Sequence, residues 1–461
     1  MSARPGPASG ALRWFDDRTG LAPVVRAGLR KVFPDHWSFL LGEIALFCFV
    51  ILILTGIFLT FFYVPSAAPV SYEGPYAPMH GREVSAAYES VLRISFETKA
   101  GLLMRQIHHW TALLFVAVIV LHLSRVFFTG AFRRPRELNW LMGFTLLALA
   151  MALGFTGYSL PDDLLSGTGA RIAYSAALSI PFVGPWLAFL GFGGEIPTEA
   201  FLARFYVLHI MLLPGLVIAL IGAHIGLVVL QKHTQYKGGP AREDNVVGRA
   251  FWPGQAFLST GLFFLTAAIA ALLGGLFQIN PIWLFGPFDA AIVSSPAQPD
   301  WYVGWRDGAL RIFPPFEPTV LGSTIPAAFI PGIVIPGAVF TAVALWPFIE
   351  AALTGDREPH HLLDRIWEHP GRTATGVAIL AFFSVLTLAG GNDVLAFSFG
   401  FELEFLTNAF RWLALLLPPV AWIVTWRLCR ARLREGERRG PPAAGRAVRR
   451  RPDGGFEEVG E

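Results

Sequence analysis

Five of the 11 histidines fall inside long apolar runs: His108, His109 and His122 in one, His209 and His224 in another. An imidazole is costly in hydrocarbon unless it hydrogen-bonds or ligates a metal, so each of these needs a partner. A helix turns about 100° per residue, so the 14-residue step from His108 to His122 returns to within about 40° of one face, about 21 Å along the axis. His109, a fifth candidate, misses that face by about 140°, and phase selects His108 over it. His209 and His224 are 15 residues apart, about 60° off in phase and about 22 Å in rise, with Pro214 between them to adjust the angle.

Two facing histidine pairs, separated by most of a bilayer's hydrocarbon thickness, suit two stacked bis-histidine b-type haems, His108 with His209 and His122 with His224. Arg105 lies one turn before His108 and Arg125 one turn after His122, where haem propionates would need a cation. Gly42 and Gly56 in an earlier apolar run, and Gly143 and Gly157 in a later one, repeat the 14-residue interval. Glycines serve helix packing in membranes, and this interval predicts bulky rings against those four backbones at two levels. A lone buried histidine would be read as a packed or proton-relaying residue. Four at matched depths on two helices carry the haem reading.

The elements that must position these residues are membrane helices. The chain is 54% hydrophobic and only 15% charged, too apolar for an ordinary soluble protein. Eight runs have the length needed to cross a bilayer: residues 39–64, 106–129, 139–158, 205–230, 255–277, 322–350 (interrupted by prolines), 373–391 and 405–427. The expected fold class is an all-α polytopic membrane protein of eight transmembrane helices. Lys and Arg concentrate in the N-terminal segment, in the loops after the second, fourth and sixth runs, and in the tail. The positive-inside rule puts all five on the cytoplasmic side, with both termini. The expected organisation is a cytoplasmic N-terminal segment at 1–38 and a four-helix di-haem bundle at 39–230. A cytoplasmic loop at 231–254, a C-terminal four-helix region at 255–430 and a basic, disordered cytoplasmic tail at 431–461 follow. The first run reads as an uncleaved helix. The outer segments 159–204 and 278–321 hold Trp, Phe, Pro and Gly with modest charge, as short interfacial helices do. The two cysteines offer no disulfide framework, and without Cys-x-x-Cys-His covalent c-type haem is excluded.

These residues resemble one family, cytochrome b of the respiratory and photosynthetic cytochrome bc complexes. The matching stretches are LLGEIALFCFVILILTGIFLTFFY, RQIHHW with LHLSR, NWLMGF with GFTGYSLP, the histidine pair of the fourth run, and PDWY at Pro299–Tyr302. The last is similar to the family's Pro-Glu-Trp-Tyr signature, with Asp in place of Glu. The 15-residue histidine interval resembles the b–f and Gram-positive branches, and GYSLPDDLLSGTGARIAYSAALSIP resembles the actinobacterial members, which use menaquinol.

The resemblance implies a quinol–cytochrome c reductase subunit running a Q cycle in a bacterial plasma membrane. Quinol, implied to be menaquinol, would be oxidised at an outer pocket between residues 159–190 and the Pro299–Tyr302 loop. One electron would leave to a Rieske iron–sulfur protein on a separate chain, and the other would cross through the two haems to an inner quinone site. A c-type cytochrome subunit, membrane lipid, a second copy of the complex and a terminal oxidase are the implied partners, with no nucleic acid. Asp300 would accept a quinol proton and Tyr302 would hydrogen-bond the quinone oxygen. His233, in LQKHTQYKGG, is the candidate polar residue of the inner site. The acid the family carries at the start of the fifth helix is missing, since FWPGQAFLSTG offers only Gln255 and Ser259. Two rivals remain at this stage. A di-haem anchor of a dehydrogenase would have fewer helices and no PDWY loop, and a proton-coupled transporter would lack haem and carry more intramembrane carboxylates.

Overall fold

In a bilayer core every backbone N–H and C=O must be satisfied within the spanning segment, so the apolar runs fold as helices. The structure, a computed structural model, describes residues 7–292, 298–320, 322–439, 447–450 and 456–459. Among them, seven helices are long and apolar enough to cross a membrane: Trp37–Thr60, Gly101–Phe128, Glu137–Tyr158, Glu199–Gln231, Phe251–Leu276, Pro370–Gly390 and Leu403–Glu435. A bent pair, Ile330–Ala344 and Trp346–Thr354, inclined at 61°, makes the eighth span. The break falls just before Pro347, whose missing N–H and ring interrupt the helical ladder. This span starts later than residue 322 because Thr319–Val320 pairs with Ser323–Thr324 instead. The all-α, multi-pass class holds; strands among the described residues are short two-stranded pairs.

The described residues form two compact units. The first comprises Met1–Arg125, Phe132–Tyr302 and Phe316–Leu363. Within it the third span packs along the fourth and the fifth along the first, and Phe49 of the first stacks on Phe115 of the second. Three side chains of the second span grip the chain that follows the fifth. Gln106 Nε2 donates to Ile279 O at 3.1 Å and its Oε1 accepts from Ile279 N at 2.8 Å. Trp110 Nε1 donates to Phe277 O at 2.8 Å, and Arg105 Nη1 to Asn280 O at 3.1 Å. Gly274 lets the backbones meet here, since a Cβ on it would stand 2.8 Å from Ile107 N.

The expected interfacial helices are present as Leu164–Leu178 and Gly184–Phe192, with Trp186 and Leu190 exposed as on a membrane surface. Asp163 starts the first with a reciprocal cap, its Oδ1 accepting from Ser166 N while its own N–H donates to Ser166 Oγ. Backbone bonds Leu164 N to Gly286 O and Phe288 N to Asp162 O tie that helix start to the segment after the fifth span.

The second unit comprises Val126–Ala131, Val303–Pro315 and Asp364–Glu461. The seventh and eighth spans lie against each other around Val385, Leu386, Ala389 and Phe410. Arg372 and Asp364 form a buried pair at 2.9 Å, and His369 Nε2 lies 3.1 Å from the same carboxylate. The tail does not become irregular at residue 431, as expected. The eighth helix runs on to Arg439, because its Arg, Leu and Glu residues are good helix formers and Arg432 pairs with Glu435 one turn on. Ala447–Arg450 then pairs with Phe456–Val459, while 440–446, 451–455 and 460–461 lie outside the described residues.

Candidate functional site

His108, His122, His209 and His224 divide into two pairs at two levels. His108 and His209 define a first level, where their ring centroids are 6.2 Å apart. Two imidazoles on opposite sides of one metal, each nitrogen about 2 Å from it, put their centroids about 6 Å apart, so the spacing fits a bis-histidine iron. Both rings are oriented from behind. Thr55 Oγ1 donates to Ile51 O at 2.7 Å and therefore accepts from His108 Nδ1 at 2.9 Å. His209 Nδ1 donates to Leu153 O at 3.0 Å beside Thr156 Oγ1 at 3.2 Å. With the proton on Nδ1, each Nε2 presents its lone pair forward, the tautomer a ligand needs. At the second level His122 and His224 lie within electrostatic reach of each other. Their buried Nδ1 atoms have no hydrogen-bond partner among the described residues.

The extra residue between His209 and His224 is absorbed by the backbone. At Leu208–Leu212 the helix makes one wide turn, with Leu213 N bonded to Leu208 O, five residues back. Such a π-turn takes in one residue beyond the ordinary ladder, which offsets the about 60° phase error. Pro214 follows this turn.

Each of the four glycines faces one of the four histidines. A Cβ would stand 3.3 Å from His122 Cε1 at Gly42, 3.3 Å from His108 Cε1 at Gly56 and 3.6 Å from His224 Cε1 at Gly143. At Gly157 it would stand only 2.5 Å from His209 Cε1. The rings that the structure sets against these four bare backbones are the imidazoles. The distances rank the consequences. Gly157→Ala is expected to push His209 out of line and lose the first-level haem, whereas Gly143→Ala, at ordinary contact distance, keeps the second-level one. A pyridine haemochrome assay of each purified variant checks this.

A cavity of about 530 Å³ joins the first level to the PDWY loop, lined among others by Arg105, His108, His109, His209, Asp300 and Tyr302. Arg105 Nε and Nη2 are buried and have no partner among the described residues, so two N–H groups remain for a carboxylate such as a propionate. Arg125, near the second level, lies over the Phe39 ring at 4.1 Å. Pro299 leads into the helix Trp301–Ile312. Asp300 accepts from Tyr302 Oη at 3.2 Å and from His109 Nε2 at 2.9 Å through Oδ1 and 3.1 Å through Oδ2. Burial first, then the Asp300 charge, raises the Tyr302 phenol well above its ordinary pKa, so it stays a donor. Tyr302 is 3% exposed and lies on the backbone of Gly154, where any Cβ would overlap its ring.

On the opposite side of the first unit, His233 packs on Phe33 with ring centroids 4.7 Å apart, and its buried Nε2 has no partner among the described residues. Burial, then the charges of Lys31, Arg125 and Arg136, pushes its pKa down to about 4, so it is neutral at pH 7. The two polar residues at the start of the fifth span bond to an acid of the first. Gln255 Nε2 donates to Glu43 Oε1 at 2.7 Å and Ser259 Oγ to Glu43 Oε2 at 2.6 Å, next to the glycine that faces His122.

Residues 113–287 match a family model described as cytochrome b (N-terminal)/b6/petB. Over 417 residues the chain is 48% identical to the cytochrome bc1 complex cytochrome b subunit of Streptomyces coelicolor, covering 90% of this chain and 76% of that one. The chain belongs to the cytochrome b family. Cytochrome b subunits of the same description from Mycobacterium tuberculosis and Corynebacterium diphtheriae are 49% and 46% identical over 90% of this chain, covering 76% and 77% of theirs. A solved chain titled "Hyperthermophilic respiratory Complex III" has a similar fold, at a TM-score of 0.66 and 21% identity, covering 90% of this chain and 99% of its own length.

As in any cytochrome b, haem is the resident group, and the paired imidazoles, the bare glycines and the free Arg105 N–H groups fit it. Sequence reasoning set His109 aside as an accidental neighbour of His108. The structure instead turns it toward Asp300, on a face the helix phase had left unassigned. Thr55, Thr156, Gly154 and Glu43 were also missed. The Thr-Gly pairs at 55–56 and 156–157 were a visible signal for the first two, and Glu43 was visible as a carboxylate inside an apolar run, though its partners were not; Gly154 carried no signal.

Proposed function

We propose that the chain is the di-haem membrane subunit of a quinol–cytochrome c reductase, oxidising quinol at an outer site and reducing quinone at an inner one. His108 with His209 would hold the outer haem and His122 with His224 the inner, with Arg105 and Arg125 near their propionates. When bound, these haems supply one-electron carriers at two depths of the membrane. The chain's own residues handle protons and position. A quinol gives up two electrons and two protons; Asp300 accepts one proton and the other leaves to the outer water, while Tyr302 turns its one hydroxyl proton from Asp300 to the quinone oxygen when the substrate is bound. One electron leaves to an iron–sulfur protein on another chain and one crosses inward. His233, neutral and with a buried nitrogen to offer, and Glu43 serve the inner site. Menaquinol is the quinol we assign, from the likeness to the actinobacterial subunits, and the basic loops support a cytoplasmic position for both termini.

The observation that carries this reading is the single cavity holding Asp300, Tyr302, His108 and His209. It brings a proton acceptor and an electron-acceptor site to one substrate position. The test is a reduced-minus-oxidised spectrum of the purified complex with a redox titration. Two b-type components of different potential are expected; one component, or none, overturns the reading.

A further inference from the structure

We infer that His109 is a positioning residue for quinol oxidation, locking the Asp300 carboxylate to the helix that carries the haem ligand His108. The inference rests on the reading of Asp300 as the proton acceptor of the outer site. His109 Nε2 lies 2.9 and 3.1 Å from the two carboxylate oxygens. Both oxygens accept, so Nε2 donates. The side chains are 17% and 8% exposed, dry enough for a charge-assisted hydrogen bond to hold its geometry. The same carboxylate accepts a second bond, from the Tyr302 hydroxyl to Oδ2 at 3.2 Å.

The geometry explains why an aspartate suffices at this position. Its side chain is one methylene shorter than glutamate, so the carboxylate sits close to its own backbone and has little reach. His109 closes the gap from the opposite wall. It follows His108 directly in the helix, about 100° round, so one rigid turn points one imidazole at the first haem level and the next at Asp300. The proton acceptor and the electron-acceptor site are thereby held in register by a single piece of backbone. Tyr302 meets the same requirement from the loop side, and Gly154 leaves its ring the space to do so. A displaced carboxylate would still bind quinol but would meet its proton in the wrong place, and an error of about 1 Å is worth about a hundredfold in rate.

The experiment compares His109→Leu, His109→Asn and His109→Gln in the intact complex, following quinol oxidation and the haem spectrum, with Asp300→Asn alongside. Glutamine places an amide N–H near the position of Nε2; asparagine is polar but too short, and leucine fills the space with no donor. Leu and Asn variants are expected to lose about a hundredfold in kcat, with KM for quinol within about twofold and both haems retained, while Gln recovers most of the rate. A packing role would instead be met by Leu at least as well as by Gln. Equal activity of Leu and wild type, equal impairment of Gln and Leu, or loss of haem from all three variants would each overturn the inference. If Asp300→Asn is slow while the His109 variants are normal, only the role of His109 fails. If Asp300→Asn is itself fully active, the reading of the outer site fails with it.

Discussion

His108→Ala is expected to leave the purified complex with one b-type haem per chain in place of two, whereas His109→Ala retains both. If His108 and His209 hold a haem between them, as proposed, loss of one imidazole would remove half of the protein's ligation of it, and His209 alone would not retain it. Quinol oxidation should then fall to background, because no electron acceptor remains beside the substrate. The neighbouring substitution tests specificity, since His109 differs from His108 by one residue in sequence but by about 100° in direction. His108 meets His209 at 6.2 Å between centroids, while His109 is hydrogen-bonded to Asp300. The measurement is haem per protein from the pyridine haemochrome spectrum. Loss of haem from His109→Ala with retention in His108→Ala would reverse the ligand assignment.

The second large effect is expected at Asp300. Asp300→Asn should lower kcat for quinol oxidation by about 10²- to 10⁴-fold, the range for a group that takes a proton in the rate-limiting step, with both haems intact. Asparagine is nearly isosteric, but it cannot accept a proton at neutral pH. It also brings an NH₂ to a carboxylate whose Oδ2 accepts from both Tyr302 Oη and His109 Nε2 and whose Oδ1 accepts from His109 Nε2, so at least one donor must turn away. Tyr302→Phe removes one of the two grips without removing the acceptor and should have a smaller effect. Steady-state quinol oxidation, normalised to haem content, separates these cases, and an unchanged rate in Asp300→Asn would remove Asp300 from the chemistry.

Much of the architecture was legible because it depends on properties local to one helix. Bilayer thickness sets the length of the apolar runs, and all eight appear, the proline-interrupted one as a pair bent by 61°. Helical phase selected His108 over His109 and paired the histidine and glycine intervals, and the first-level rings meet as that phase requires. The 15-residue interval was legible as an anomaly only. Its resolution, a π-turn at Leu208–Leu212, depends on how the fourth span packs against the third, where Gly157 meets His209. The first residues of the expected tail, 431–439, continue the eighth helix, because the charged stretch there is rich in good helix formers.

Spacing along a chain says which side chains share a face, and it was enough to determine the spans, their two levels and the histidines that occupy them. It says nothing of what a face meets. That His109 faces Asp300, 191 residues away, that Glu43 takes the hydrogen bonds of Gln255 and Ser259, and that Gly154 makes room for Tyr302 were decided by packing. Hydrogen bonds and close contacts act over a few ångströms in space, and no periodicity within either partner records them.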